Sequence, residues 1–429
     1  MRVKIYFLLI IFIMALLPVA ACTGNPPESA DSGEPPENPD TDAVSYAEQT
    51  PAPTLTAKTF LSADRYCIVG KGAEGAAIRV EGGLQPVTGT IVDGQFIVEV
   101  FLENQTSRDV DLSIYAKSDG FAESEPLTVT ARTRESRDYK PLYIGKDNQI
   151  HYNETIDDFL GRALFQDDEL DLIKRGAENL QQLLIDEGLN TKLIIFVSPN
   201  PGTIYPETMS DMWADQIVSN NSRLKQLTEL FKDSSVKFIN PYDRFMREKE
   251  NYFIYNRTDT HWNELGAYFG YSEIFGYIGE TFPAAKPIPL DDFDVFKATV
   301  RGGDLIPMLQ FDQDAVTETA YIVRIKNPKV HELFRKDTNE IAYQEPYYHG
   351  FLETSNAGDS KPTIIMYRDS FSISMMSPIA ETSDRVIFNN MWDYNIDIEF
   401  VKAVNPDFII IQRVERILYD LPSAFRRFR

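Results

Sequence analysis

Residues 255–262 read YNRTDTHW and hold Asp259 and His261 two positions apart. An apolar run, 252–255, comes before this pair and is predicted to be a strand, and a helix is predicted to begin at Glu264. Residues i and i+2 of an extended or turning segment can share a face. One short loop can therefore hold a histidine base together with the carboxylate that orients it.

A second stretch, residues 366–371, reads MYRDSF and places Ser370 at the end of the apolar run 363–367. Serine, histidine and aspartate are the parts of a nucleophilic hydroxyl. Because the carboxyl ends of parallel strands meet at one edge of a sheet, we expect the two stretches to come together. On this hypothesis Ser370 is the nucleophile, His261 is the general base and then acid, and Asp259 orients His261.

Both stretches also have purely structural interpretations. Asp259, Thr260 and Asn263 are all residues that commonly cap a helix N-terminus. An Asp-Ser pair after a strand, as at Asp369 and Ser370, is usually a turn or a cap. Two such motifs in one chain, each after a β-like run and before a helical one, favour the catalytic interpretation.

Together the two stretches resemble the SGNH-hydrolase-like proteins related to alginate O-acetyltransferases, and their relatives named for an Asp-His-His-Trp (DHHW) motif. In that family an Asp-x-His-Trp segment precedes the serine motif, the reverse of the order in ordinary SGNH esterases. This chain has the permuted order. Further segments that look like the family extend the resemblance from about residue 141 to the C-terminus, and they are 142–147, 198–200, 204–207, 302–305 and 414–416.

The resemblance also implies candidates for oxyanion stabilisation and substrate contact. Asn200 stands where SGNH enzymes have an oxyanion-donating Asn, although a turn that ends a strand is an equally good interpretation. Gly302 and Gly303 can offer backbone N–H groups for the same role, with a plain turn as the alternative, and Asp369 is a further candidate. The chain departs from its relatives at Thr260 (a second His in Gram-positive relatives), Pro201 (often Lys) and Arg368 (Gly in ordinary esterases).

The activity that the resemblance implies is O-acetyl transfer to extracellular or cell-wall polysaccharide through an acetyl-serine intermediate. The implied acetyl donor is a membrane-bound O-acyltransferase partner. A carbohydrate O-acetyl esterase at the same site is an alternative, because water can take the place of the glycan hydroxyl. A second alternative is a non-catalytic glycan-binding or scaffold protein that keeps the fold without the chemistry.

Composition narrows the classes of function. The formal net charge of −23 argues against nucleic-acid binding, which needs a basic surface, and mildly disfavours strongly anionic substrates. The 4 histidines and 2 cysteines are scattered and lack the spacing of metal ligands. Neither a metal nor a cofactor is expected.

The N-terminal residues are predicted to direct export. Residues 1–22 combine a basic start and a short apolar run with a lipobox-like Val-Ala-Ala-Cys, which predicts a lipoprotein signal peptide and a lipidated Cys22. An uncleaved membrane anchor is the alternative. Residues 23–54 are rich in Pro, Glu, Asp, Ser and Thr and are predicted to be a disordered linker. We therefore expect a protein of the bacterial cell envelope, outside the cytoplasm and tethered to the membrane.

Two folded regions are predicted after the linker. Residues 55–135 alternate at period two between Gly and Asp-Gly turns, which predicts a small all-β sandwich that resembles bacterial Ig-like modules and serves as a glycan-binding module or a spacer. Residues 139–429 alternate between strand and helix, which predicts a doubly wound α/β/α domain, and the resemblance makes it SGNH-like, or flavodoxin-like. Within it, 282–294 is expected to be a Pro-rich connection, and 300–360 a lid or substrate wall.

Overall fold

The computed structural model describes residues 48–103, 108–133, 139–329, 334–335, 351–355, 360–390 and 396–428. The predicted signal peptide, Cys22 and residues 23–47 of the predicted linker lie outside these ranges. All of the described residues belong to one compact unit of the chain, Ala47–Arg429. None of the helices within the described ranges is long and apolar enough to cross a membrane.

Seven strands near the N-terminus form the predicted all-β sandwich. They are β1 (Thr54–Phe60), β2 (Arg65–Lys71), β3 (Ala77–Glu81), β4 (Val87–Thr90), β5 (Gln95–Phe101), β6 (Asp109–Lys117) and β7 (Leu127–Arg132). One antiparallel sheet has the order β1-β2-β5 and the other has the order β4-β3-β6-β7. Alternate residues of β6 (Leu112, Ile114 and Ala116) point into the core between the two sheets, as the period-two pattern predicts.

The sandwich begins before residue 55, so the predicted linker is too long at its C-terminal end. Gln49 forms an isolated bridge with Ala122. Thr50 is buried, its N–H donates to the Ala122 carbonyl (2.9 Å), and its hydroxyl accepts from the N–H of Ser118 (2.9 Å). Composition did not reveal this, because these contacts use backbone groups and one small polar side chain.

The remaining strands belong mainly to a seven-stranded sheet. They are β8 (Leu142–Ile144), β9 (Ile150–Tyr152), β10 (Lys192–Ser198), β11 (Lys237–Ile239), β12 (Phe293–Arg301), β13 (Thr317–Ile325), β14 (Phe334–Arg335), β15 (Phe351–Ser355), β16 (Thr363–Tyr367), β17 (Arg385–Asn389) and β18 (Phe408–Val414). The sheet has the order β11-β10-β18-β16-β17-β15-β14. Its first five strands are parallel, β15 pairs antiparallel to β17, and β14 pairs antiparallel to β15.

Helices cover both faces of this sheet, so the predicted fold class, an α/β/α domain preceded by a β-sandwich, is confirmed. The helices are α1 (Ile156–Phe159), α2 (Asp167–Asp186), α3 (Pro201–Ile204), α4 (Asp211–Ala214), α5 (Arg223–Leu230), α6 (Tyr242–Glu248), α7 (Glu264–Thr281), α8 (Leu305–Met308), α9 (Met376–Thr382), α10 (Ile398–Val404) and α11 (Leu421–Phe425). Along β16, Ile364 and Met366 pack in the core that contains α7, and Ile365 and Tyr367 pack in the opposite core with α2. Strands buried on both faces read as continuous apolar runs.

The apolar run 252–255 is not a strand of this sheet, contrary to the prediction. Only Tyr255 forms a bridge, with Trp262. Main-chain groups of the run bond instead to the start of α7: the Asn263 side chain donates to the Phe253 carbonyl (2.7 Å), and the Asn263 N–H donates to the Ile254 carbonyl (2.8 Å). The loop that holds His261 is therefore positioned by α7 and not by the end of a strand.

Strands β12 and β13 form an antiparallel hairpin where the sequence predicted a connection and an irregular region. The pairing runs from Phe293 opposite Ile325 to Arg301 opposite Thr317. Much of the rest of the predicted lid, including residues 336–350, lies outside the described residues. The hairpin lies beside α7, where it forms a wall of the site described below.

The sandwich packs directly on the α/β region. One apolar cluster combines Cys67, Val69 and Ile97 of the sandwich with Ile144 and Ile306 of the α/β region. Buried polar contacts accompany it: the Ile144 N–H donates to the carboxylate of Glu99 (2.9 Å). The two regions therefore share a core, although their hydrophobic periods differ.

Candidate active site

Ser370, His261 and Asp259 form one chain of hydrogen bonds. Ser370 Oγ lies 2.8 Å from His261 Nε2, and His261 Nδ1 lies 2.7 Å from Asp259 Oδ1. Burial by itself would raise the pKa of Asp259, but the hydrogen bond and charge of His261 outweigh it and hold that pKa below its ordinary value. With Asp259 ionised, Nδ1 carries the ring proton and Nε2 is free to accept the proton of Ser370.

Asn263, and not Asp259, caps helix α7. The Asn263 side chain accepts from the N–H groups of Leu265 and Gly266, both at 3.0 Å. This leaves the Asp259 carboxylate to accept from the ring and the N–H of His261. Asn263 is therefore the residue that caps the helix. The contacts of Asp259 agree instead with a role in orienting His261.

Trp262 joins the two motifs that the sequence places far apart. Its indole N–H donates to the carbonyl of Phe371 (3.0 Å), and its ring packs edge-on against the Phe371 ring. The His261 ring also lies against Phe371, with 4.9 Å between the ring centroids. These contacts fix the distance between His261 and Ser370, because Phe371 follows Ser370 directly.

Asp369 holds the serine turn in place. Its carboxylate accepts from the Phe371 N–H (2.9 Å), the Gln412 amide (2.8 Å) and the Val414 N–H (2.7 Å), and its own N–H donates to Gln412 (2.8 Å). It is buried and caps the 3-10 turn that begins at Ser370. These bonds occupy both carboxylate oxygens and agree with the capping interpretation of Asp369 more than with substrate contact.

Gly303 allows a close approach to Asp259. A Cβ atom on Gly303 would lie 2.4 Å from the Cβ of Asp259, which no other residue type can tolerate. Its N–H donates to the Thr258 hydroxyl (2.9 Å), and the Gly302 N–H donates to the Val316 carbonyl (2.8 Å). Both amides proposed as oxyanion donors therefore bond within the protein.

Asn200 also bonds within the protein. Its side-chain amide donates to Asp158 (3.2 Å), and its N–H donates to Glu415 (2.8 Å). It lies at the end of β10, buried between these two carboxylates, and is not among the described residues that line the groove at Ser370. Of the seven side chains or glycines proposed for chemistry in the described ranges, the structure brings together Ser370, His261 and Asp259, with Asp369 and Gly303 supporting them.

Asp304 is a neighbour of His261 whose part the sequence did not reveal. Its carboxylate accepts from the N–H (2.8 Å) and the hydroxyl (2.6 Å) of Thr260, and one oxygen lies 3.6 Å from His261 Nδ1. Burial and the nearby charge of Asp259 raise its pKa. Two features of the sequence could have indicated this residue. The family-like segment 302–305 contains Asp304, and Thr260 stands in place of a second His.

Asp259, His261 and Asp304 also offer three potential metal ligands within 4.8 Å of one another. His261 Nδ1 and Asp259 stand at hydrogen-bond distance, and Asp304 is bonded to Thr260. These hydrogen bonds explain why the three side chains lie close together. A histidine that is bonded to a carboxylate is also the arrangement that a nucleophilic serine needs.

A groove of about 290 Å³ opens beside Ser370 and His261. Its walls are the β12–β13 hairpin, which contributes Tyr321 and Ile322, and the serine turn, which contributes Phe371 and Ile373. The start of α7 lies between these walls. The groove gives a substrate access to the hydroxyl, and the half-buried Asp259 also lines it.

Part of the chain matches a known protein family. Residues 157–338 match the family model described as the SGNH hydrolase-like domain of the acetyltransferase AlgX. The match contains Asp259, His261 and Asp304 and ends before Ser370. It confirms the predicted resemblance to SGNH-hydrolase-like proteins related to alginate O-acetyltransferases. Curated protein sequences contain no significant match to the chain.

Several solved structures are similar in fold. Bacillus cereus PatB1 aligns at 16% identity over 67% of this chain and 99% of its own, with a TM-score of 0.49. A DHHW family protein from Eubacterium siraeum aligns at 12% identity over 74% and 94%, with a TM-score of 0.43. Pseudomonas aeruginosa AlgX aligns at 15% identity over 67% and 64%, with a TM-score of 0.42. Each of these alignments covers at least 67% of this chain.

Proposed function

We propose that this chain, an enzyme of the SGNH type, is an O-acetyltransferase that modifies polysaccharide through an acetyl-serine intermediate at Ser370. The observation that carries the proposal is the hydrogen-bond chain from Ser370 through His261 to Asp259 beside an open groove. The acetyltransferase description of the matched family supports transfer as the reaction.

In the first half-reaction, His261 Nε2 takes the proton of Ser370 as Oγ attacks the carbonyl carbon of an acetyl ester. The tetrahedral intermediate collapses, the bond to the leaving oxygen breaks, and His261 returns the proton to that oxygen. Asp259 stabilises the imidazolium that exists between these steps. The products are acetyl-Ser370 and the free alcohol of the donor.

In the second half-reaction, a hydroxyl of the glycan in the groove attacks acetyl-Ser370. His261 takes the proton of that hydroxyl and then gives it to Ser370 Oγ as the ester bond to the enzyme breaks. The acceptor leaves as the O-acetyl glycan and the serine hydroxyl is restored. Water in place of the glycan hydroxyl gives acetate, so occupation of the groove decides the product.

The proposal includes the setting of the reaction. Cleavage of a lipoprotein signal peptide before Cys22 and lipidation of that cysteine would anchor the protein in the cell envelope, where it meets polysaccharide. A membrane-bound O-acyltransferase would supply the acetyl group. Replacing Cys22 with Ser and following the protein in membrane fractions tests the anchor, since an unchanged distribution and mass would reject it.

The partition of product tests the reaction. The protein is incubated with an activated acetyl ester and oligosaccharides, and acetylated glycan and free acetate are both measured. The proposal predicts acetylated glycan that depends on Ser370. Acetate without acetylated glycan would identify an esterase. A folded protein that forms neither product would instead be a glycan-binding scaffold.

A further inference from the structure

A second cavity continues the catalytic groove. It has a volume of about 390 Å³ and shares Glu264, Ile373 and Ser374 with the groove at Ser370. Beyond these shared residues it is lined by Ser377 at the start of α9 and by Arg324 of β13. The two cavities therefore form one furrow between the β12–β13 hairpin and the segment 370–378.

The furrow is longer than the acetylation reaction needs. Ser377 follows Ser370 by seven positions, first through a 3-10 turn and then into α9. At about 1.5–2.0 Å of rise per residue they span roughly 10–14 Å. This length exceeds one sugar ring, whereas an acetyl ester fills only the end at Ser370.

The lining suits a sugar chain. Ile373 is 46% exposed at the junction of the two cavities, and the exposed serines Ser374 and Ser377 follow it along the same wall. Val323 and Phe293 contribute apolar surface to the second cavity. Ligand sites combine an apolar lining with a few polar groups that fix orientation, and a sugar ring matches this with apolar ring faces and hydroxyl edges.

The charges of the furrow favour a neutral chain. Glu264 and Arg324 form an ion pair at the junction, and the Glu264 carboxylate also accepts from the Val323 N–H (2.7 Å). The cation is thus matched by an anion of the protein. Asp259 at the catalytic end and the net charge of −23 add negative potential, which opposes a polyanion.

We propose that the second cavity binds the acceptor glycan beyond the unit that receives the acetyl group, and that this acceptor is a neutral polysaccharide. The inference rests on the proposed function, because it assigns the acceptor of the reaction at Ser370. It predicts that longer acceptors are better acceptors, since each further unit adds contact along the furrow.

The variant Ser377→Trp tests this inference. Ser377 is exposed in α9, so an indole there fills the second cavity without entering a core. The matched control is Ser235→Trp, at an exposed serine just before β11, outside the furrow. The probe is a series of neutral β-1,4-linked N-acetylglucosamine oligomers from disaccharide to hexasaccharide, and the readout is kcat/KM for acetyl transfer to each.

In the unmodified protein and in Ser235→Trp, transfer should improve by roughly tenfold from disaccharide to hexasaccharide, which corresponds to about 1.4 kcal/mol of added binding. In Ser377→Trp the hexasaccharide should lose this advantage. An unchanged length preference in Ser377→Trp, or equal transfer to all lengths in the unmodified protein, would overturn the inference. Better transfer to oligouronates than to these oligomers would overturn the neutral acceptor.

A separate binding experiment distinguishes failure of this inference from failure of the proposed function. Hexasaccharide binding is measured on Ser370→Ala and on Ser370→Ala combined with Ser377→Trp. If Ser370 is never acetylated, the proposed function fails, and weaker binding by the double variant still supports the glycan site. Equal binding by the two proteins, or none, would reject the site.

Discussion

Three aspartates surround Ser370 and His261, and their hydrogen bonds give them different tasks. Asp259 bonds to the ring of His261, Asp304 bonds to Thr260, and Asp369 bonds to the backbone that follows Ser370. Only Asp259 is in direct hydrogen-bond contact with the histidine among these three. Residue-level tests can therefore separate orientation of the base from support of its loop.

Ser370 and His261 should act as one unit. Ser370→Ala and His261→Ala should each remove most acetyl transfer, because neither group activates the reaction without the other. The double variant should lose little more than either single variant, since parts of one mechanism are not additive. Ser235→Ala, remote from the site, is the control. Losses that multiply in the double variant would contradict a shared mechanism.

Asp304 should act on the reaction through His261. Asp304→Asn removes a negative charge 3.6 Å from Nδ1 while keeping an oxygen for the Thr260 N–H. Loss of that charge disfavours the imidazolium, so the acid limb of the pH–activity profile should move to lower pH and kcat should fall several-fold. The measurement is kcat/KM against pH. A lower rate with an unmoved profile would mean that Asp304 only supports the loop.

At the scale of elements, part of this architecture could be predicted from particular runs. The apolar run in β16 is bounded by turn residues and is buried on both faces, and α2 buries Ile173, Ala177, Leu180 and Leu184 along one side. The β12–β13 hairpin was missed because its strands mix charged and apolar residues and follow a Pro-rich segment. The apolar run before the His261 loop was predicted to be a strand, because a local pattern does not reveal that its main chain bonds to the cap residue Asn263.

Local sequence patterns also predicted only part of the candidate site. Residue types and order predicted Ser370, His261 and Asp259, because these chemistries lie in two short motifs. The Asp304 contact was not predicted, because it joins residues 44 positions apart through Thr260. The proposed oxyanion donors rested on resemblance alone, and their N–H groups have partners that only the folded chain shows.

Two buried carboxyl groups, those of Glu415 and Asp158, lie close together near the ends of β10 and β18. Glu415, after β18, is fully buried, and burial and the charge of Asp158 raise its pKa from an ordinary 4.5 to about 7. Burial also raises the pKa of Asp158 to about 6, despite its bonds to Arg223. Both carboxyls therefore hold protons more tightly in the folded chain than in the unfolded chain.

This pair of carboxyl groups predicts a pH dependence of stability. A raised folded pKa stabilises the fold below the unfolded value, and that stability is lost as pH rises through the folded value. The free energy of unfolding should therefore fall between about pH 4.5 and pH 7, by up to about 1.4 kcal/mol per pH unit for one group. Glu415→Gln should make this fall shallower in urea titrations. A fall of equal steepness in the variant would remove Glu415 as its source.

At the scale of the whole molecule, the sandwich and the α/β region depend on each other. Asp93 in the turn before β5 accepts from the N–H of Thr319 (3.0 Å) and forms an ion pair with Arg257 (3.3 Å), two positions before Asp259. Asn148 accepts from the Ile97 N–H (2.7 Å) and donates to the Gln95 carbonyl (3.0 Å). The sandwich thus contacts the loop that carries the proposed base.

Asn148 should make a measurable contribution to this contact. Asn148→Gly suits the left-handed backbone there (φ 64°) but leaves the Ile97 N–H without its acceptor, which should lower the free energy of unfolding by about 1–3 kcal/mol. Asn148→Ala should cost more, because Ala also strains that backbone. Denaturant unfolding of both variants checks the prediction. Full stability in the Gly variant would show that the contact does not stabilise the fold.

The whole account depends on whether Ser370 becomes acetylated, and peptide mass spectrometry after brief exposure to an activated acetyl ester measures this directly. The account predicts one acetyl group on the peptide that contains Ser370, no such group in Ser370→Ala, and loss of the group when a glycan acceptor is added. An unmodified Ser370 in the folded protein, or equal acetylation of the Ser370→Ala protein at other residues, would contradict it.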